Sequence, residues 1–161
     1  MWEWKVHLNL MPTAIKINKI ELPSEKKTQE LAVKFSKRIK GGNSVFLYGE
    51  IGVGKTTFVR YLINTLQKEN KIKLTEVTSP TFNLLNEYQI KQIKINHYDL
   101  FRLKSNKELE NLNMFEENLD TINLVEWPKI IKEKPKNLIE LYFKYEKDLQ
   151  NRVVQIKGLN L

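Results

Sequence analysis

The chain has 161 residues, 41% hydrophobic and 29% charged, with 27 Lys and Arg against 19 Asp and Glu for a formal net charge of +8. This is the make-up of one globular domain, long enough to bury a core without disulfide or metal staples. Cysteine is absent, which excludes a disulfide scaffold, a Cys nucleophile, an iron–sulfur cluster and Cys-ligated zinc. His7 and His97 are too few and too far apart for a His-based metal site.

Residues 1–14 read as an extension of no assigned role, followed by one domain over 15–161. The start, Met1-Trp2-Glu3-Trp4-Lys5-Val6-His7, places charges where a signal peptide has its apolar stretch. No apolar run approaches the roughly 20 residues needed to cross a bilayer. A cytoplasmic protein without a membrane partner is the expectation. Alternation over Ala14 to Leu22 predicts a short strand. Pro23-Ser24 punctuates the chain, and Ser24 or Thr28 is placed to cap a helix that carries Leu31, Ala32, Phe35 and Ile39 before Gly41-Gly42.

Ser44-Val45-Phe46-Leu47-Tyr48 is a continuous apolar run of the kind buried on both faces of a sheet. A glycine-rich loop follows, and Thr57 to Leu66 returns to helical spacing through Phe58, Leu62, Ile63 and Leu66. An extended region is predicted from Leu74 through Tyr88, broken at Ser79-Pro80, and a further strand over Lys91 to Asp99. Ser105-Asn106-Lys107-Glu108 has capping-box spacing for a short helix. Ile122 to Glu126 reads as a strand ending in a carboxylate, while Leu138 to Tyr145 and Arg152 to Ile156 alternate like an antiparallel hairpin. Strands interleaved with helices predict an α/β fold: a mostly parallel central sheet flanked by helices, with an antiparallel C-terminal hairpin.

Gly49-Glu50-Ile51-Gly52-Val53-Gly54-Lys55-Thr56 satisfies G-x-x-x-x-G-K-[ST] in full, between a buried-type strand and an amphipathic helix. That is the setting of a phosphate loop in a P-loop NTPase fold. Glycines let the backbone point successive N–H groups at phosphate oxygens, Lys55 reaches the β- and γ-phosphates, and Thr56 offers an oxygen to Mg²⁺. Such a loop needs acidic partners at the carboxyl ends of neighbouring strands. Asp99 and Glu126 both end predicted strands and are the candidates. Thr78-Ser79-Pro80-Thr81-Phe82 lies where a switch segment is expected, since Pro80 disfavours a regular central strand. His97, two residues before Asp99, reads as a structural hydrogen-bonder. Trp127 reads as core, or as a residue that gates a nucleotide pocket.

The basic excess is not by itself a nucleic-acid signal. Only Arg38, Arg60, Arg102 and Arg152 are arginines, and abundant Lys, Asn and Ile fit A/T-rich coding DNA. The densest basic stretch, from Lys129 to Lys136, is interrupted by Glu133 and Pro135.

Four segments in this order, Gly49 to Phe58, Thr78 to Phe82, His97-Tyr98-Asp99-Leu100-Phe101-Arg102 and Leu124-Val125-Glu126-Trp127-Pro128, resemble the bacterial TsaE family. That family comprises small P-loop ATPases needed for making N6-threonylcarbamoyladenosine in tRNA. The resemblance spans about residues 20 to 157. It implies ATP and Mg²⁺ as cofactors, hydrolysis of ATP, and a complex with the transferase pair TsaD and TsaB, with tRNA reached through that complex. It further implies that Gly49, Ile51, Gly52, Val53, Gly54, Lys55, Thr56 and Thr57 hold the nucleotide, with Lys55, Asp99 and Glu126 as catalytic groups. Thr56 and Glu126 would sit at the metal, Asp99 at the metal or at the attacking water, and either Glu126 or Asp99 would orient that water. Thr81 would be a switch contact, and the stretch from Ser24 to Thr28, Thr28 included, would contact the nucleoside together with Arg152. Phe101 departs from the Tyr common in the family.

Other classes fit less well. A GTPase would carry an Asn-Lys-x-Asp guanine reader, whereas the downstream Asn106-Lys107 is followed by Glu108-Leu109. A small-molecule kinase would want several arginines on its phosphates. A nucleotide-gated, non-catalytic assembly factor is the remaining alternative.

Overall fold

A computed structural model describes residues 18–161 except 115 and 117, so the 1–14 extension and the first residues of the predicted opening strand lie outside the described residues. Seven strands join in one mixed sheet: β1 (Asn18–Glu21), β2 (Ser44–Tyr48), β3 (Leu85–Ile90), β4 (Ile93–Asp99), β5 (Thr121–Glu126), β6 (Leu138–Tyr145) and β7 (Arg152–Lys157), in the order β1-β7-β6-β2-β5-β4-β3. The helices are α1 (Glu25–Ser36), α2 (Lys55–Glu69) and the short α3 (Asn106–Glu110), with a 3-10 turn at Pro128–Ile130.

The four central strands, β6, β2, β5 and β4, run parallel, whereas β1–β7, β6–β7 and β3–β4 pair antiparallel. The sheet is therefore mixed, with parallel pairing confined to its centre. Burial explains the division. β2 and β5 are almost wholly buried, as strands covered on both faces must be. β3 is mostly half-exposed, which suits an edge.

Side chains alternate between two cores. Val45 and Leu47 of β2, with Ile122 and Leu124 of β5, face a large core completed by Leu31, Phe35, Phe58 and Leu62 from α1 and α2. Phe46 and Val125 face a smaller core with Tyr98, Leu100, Met114 and Ile131, which the irregular chain around α3 closes. Ser24 caps α1 by accepting a hydrogen bond from the Lys27 amide, and Ser105 and Glu108 form the capping box of α3.

The expectation of an extended region from Leu74 to Tyr88 is corrected. Only Leu85–Ile90 becomes a strand, and the chain before it is irregular as far as a turn over residues 81–83. Of that irregular part only Val77 joins a core, so little apolar burial favours an extended ladder there. Lys91, which opens the predicted Lys91–Asp99 strand, instead turns the β3–β4 hairpin with φ +52°.

Candidate functional site

Strand register assembles the site. Leu47 of β2 lies level with Glu126 of β5, and Glu126 with Asp99 of β4. Residues paired across a sheet share a face, so both carboxylates lie at the carboxyl edge of the parallel strands, on the face that α2 covers. α2 begins there, immediately after the glycine loop. Ligands of open α/β sheets bind in this crevice because the strand ends splay and helix N-termini converge.

The loop from Gly49 to Gly54 turns back on itself through left-handed φ angles at Gly49 (+146°), Gly52 (+77°) and Gly54 (+113°). Gly49 is the most constrained. A Cβ there would stand 2.7 Å from the Phe143 carbonyl oxygen and 2.8 Å from Val53 Cγ1. Val53 is buried, fixing the loop from within, while Ile51 stands out in solvent.

Lys55 is almost fully buried. Its Nζ donates to the carbonyl oxygens of Gly49 (2.7 Å) and Glu50 (2.8 Å) and lies 4.0 Å from the centre of the Trp127 ring. Burial pulls its ammonium below the usual lysine range, and the negative charges of Glu126, Asp99 and Glu50 oppose that shift. Thr56 Oγ1 lies 2.9 Å from both carboxylate oxygens of Glu126. Glu126 also meets the Nε2 atom of His97 at 2.8 Å. Asp99 accepts from the Ser79 hydroxyl (2.6 Å) and the Phe101 amide (3.0 Å), and Ser79 stands 3.0 Å from the Thr81 hydroxyl. The segment named as a switch is thereby tied to the end of β4.

These groups line one cleft of about 460 Å³, shared by Ile51, Gly52, Gly54, Lys55, Thr56, Thr57, Thr81, Asp99, Glu126 and Arg152. Of the residues expected at the site, Gly49, Val53 and Thr28 do not line it. The first two shape the loop from behind. Thr28 is buried within α1, so its expected nucleoside contact is not borne by the geometry. Glu25, in the same Ser24–Thr28 stretch but on the exposed side of that helix, does line the cleft and accepts from Arg60 and Tyr61. The sequence signal for this was available: with Leu31, Ala32 and Phe35 setting the buried face of α1, Thr28 falls on the buried side. Ser79, Phe101 and Trp127 complete the lining, the last two with their rings 4.8 Å apart.

The residues suit a magnesium–nucleotide group on the chemistry of their donors. Thr56 and Glu126 already converge within hydrogen-bond reach, and three loop glycines leave the backbone unobstructed. Among the described residues no three His, Asp or Glu side chains form a metal-holding group. Magnesium takes one or two protein oxygens and completes its shell from phosphates and water, a need that one hydroxyl and one carboxylate would meet.

A glycine-lined phosphate loop feeding a helix, with acidic residues level on adjacent parallel strands, defines an α/β protein of the phosphate-loop class. The profile described as "Threonylcarbamoyl adenosine biosynthesis protein TsaE" matches residues 22–154, and the chain belongs to the TsaE family. Its relatives include the proteins named tRNA threonylcarbamoyladenosine biosynthesis protein TsaE of Rickettsia bellii and of a Nostoc species. The first is 42% identical over 76% of this chain and 83% of its own length, the second 32% identical over 92% and 90%. Among solved structures, the fold resembles YdiB of Bacillus subtilis with a TM-score of 0.69, at 21% identity over 92% of this chain and 90% of that one. Among the described residues no helix is long and apolar enough to cross a membrane.

Proposed function

We propose that this protein is a Mg²⁺-dependent ATPase acting in the formation of threonylcarbamoyladenosine in tRNA, in concert with the TsaB–TsaD transferase pair. One observation carries the nucleotide reading: the Thr56 hydroxyl and the Glu126 carboxylate meet at 2.9 Å beside Lys55 in the cleft that the phosphate loop opens. Family membership supports the role in tRNA modification, through relatives that bear that name.

The loop amides between Gly49 and Thr56 and the N-terminal end of α2 hold the β- and γ-phosphates, with Lys55 turning its ammonium from the loop carbonyls to phosphate oxygens. Thr56 and Glu126 would hold magnesium, which would supply positive charge to neutralise the phosphates. Asp99, anchored through Ser79, sets the 79–81 segment against the γ-phosphate side and orients the attacking water. Arg152, which lines the cleft near Gly54, meets the nucleoside end. Phosphoryl transfer asks a protein mainly for positioning and charge neutralisation, and this site supplies both.

Calorimetric titration tests the reading. The wild-type chain binds ATP with magnesium, and Lys55→Ala weakens that binding by an order of magnitude or more, about 1.4 kcal/mol per tenfold step. Equal affinities in the two proteins would remove the phosphate-loop assignment.

A further inference from the structure

We propose that His97 is a positioning residue for Glu126, selecting which carboxylate oxygen is presented to the cleft. The inference rests on the reading of Thr56 and Glu126 as the magnesium residues. His97 lies on β4 two residues before Asp99 and level with Leu124 of β5, so its side chain shares the face of Glu126. The ring is wholly buried and Glu126 is 2% exposed. A carboxylate so far from solvent persists only with hydrogen-bond partners. Among the described residues Glu126 has two, and they differ in what they determine. Thr56 Oγ1 is equidistant, at 2.9 Å, from both oxygens, so it does not distinguish them. The His97 Nε2 contact, at 2.8 Å, is to Oε1 alone.

The opposite ring nitrogen defines the tautomer. Nδ1 is buried without a hydrogen-bond partner among the described residues. A proton there would be an orphaned donor, whereas a proton on Nε2 points at Oε1. The ring therefore delivers one fixed N–H to one oxygen. It holds Oε1 and leaves Oε2 without an imidazole partner, so that Oε2 is the oxygen offered to the ligand, while Thr56 stays within reach of both. Residues that orient a metal ligand from behind in this way typically change metal affinity or activity by about 10–100-fold when replaced.

Two measurements test the proposal. In the nucleotide-free and magnesium-free wild-type protein, nitrogen-15 NMR of the imidazole should show Nε2 protonated and Nδ1 bare. The opposite tautomer would overturn the proposal without any variant being made. The second measurement is ATP binding by calorimetry, with and without magnesium, for wild type, His97→Gln, His97→Asn and His97→Phe. A Gln amide reaches the Nε2 position, an Asn amide reaches only toward Nδ1, and Phe fills the space without a donor. The gain in ATP affinity on adding magnesium should survive in His97→Gln within about threefold and fall about tenfold or more in the other two, with metal-free binding unchanged in all. Equal losses in the Gln and Phe variants, or none in either, would make His97 a space-filling residue and sink the idea. If wild type itself gains nothing from magnesium, the metal assignment of Glu126 fails, and that result precedes any comparison among variants.

Discussion

At the scale of single residues, Lys55 shows how the site stores its readiness. Burial opposes its charge, two loop carbonyls and the Trp127 face partly replace lost water, and the nearby carboxylates hold the remainder. Its pKa is lower in the folded chain than in the unfolded one. Between those two values the unfolded chain binds more protons, so this residue's contribution to stability improves as pH rises through that window; below it, the cost of burying the charge is fully present. Phosphate charge acts in the opposite sense and restores the ammonium. ATP binding in the alkaline range should therefore be accompanied by proton uptake, seen as heats that differ between buffers of different ionisation enthalpy. Lys55→Met should abolish that difference, and its persistence would assign the proton elsewhere. Gly49 is governed by space and backbone together. Gly49→Ala must accommodate a methyl group 2.7 Å from a carbonyl oxygen at φ +146°, at a cost of about 1–3 kcal/mol. A denaturation midpoint equal to wild type would contradict that geometry.

At the scale of elements, α2 couples stability to function. Its first turn carries Lys55 and Thr56, and its buried face carries Phe58, whose ring meets Phe35 of α1 edge-on at 5.3 Å and Phe143 of β6 at 6.0 Å. Phe58→Ala should destabilise the protein by about 3–5 kcal/mol in denaturant unfolding. ATP affinity, measured under conditions where the variant stays folded, should change much less, because in the proposed function the phosphate grip belongs to the loop backbone and Phe58 does not line the cleft. A large loss of affinity with little loss of stability would reverse these roles. Element boundaries were legible wherever a local signal acted alone. Ser24 and Ser105 start helices where their side chains cap them, and β2, β5 and the β6–β7 hairpin follow their apolar patterns. The stretch from Leu74 to Leu84 failed that test, since β-compatible residues become strand only when a neighbour offers a free edge and a core to bury against. Edge strand β3 takes the free side of β4, and the chain before it is held through Ser79 and Asp99 instead.

At the scale of the whole molecule, the strand order brings the lining of one cleft out of segments far apart in sequence. β2 lies between β6 and β5, and the loop after β2 opens beside the ends of β5 and β4. Reconstitution with TsaB, TsaD, threonylcarbamoyl-AMP and tRNA should give multiple rounds of tRNA modification only when this protein and ATP are both present. Modification that continues with a hydrolysis-deficient Asp99→Asn protein at the wild-type rate would favour a nucleotide-gated assembly factor over an ATPase. By itself, the sequence determined the phosphate loop, both acidic strand ends and the helix that follows the loop, because each is written in contiguous residues whose local chemistry has few alternatives. Tertiary structure alone decided that Ser79 clasps Asp99 and that His97 reaches Glu126. Those contacts join residues far apart in the chain, and a one-residue slip in the β4–β5 register would have turned His97 away from Glu126.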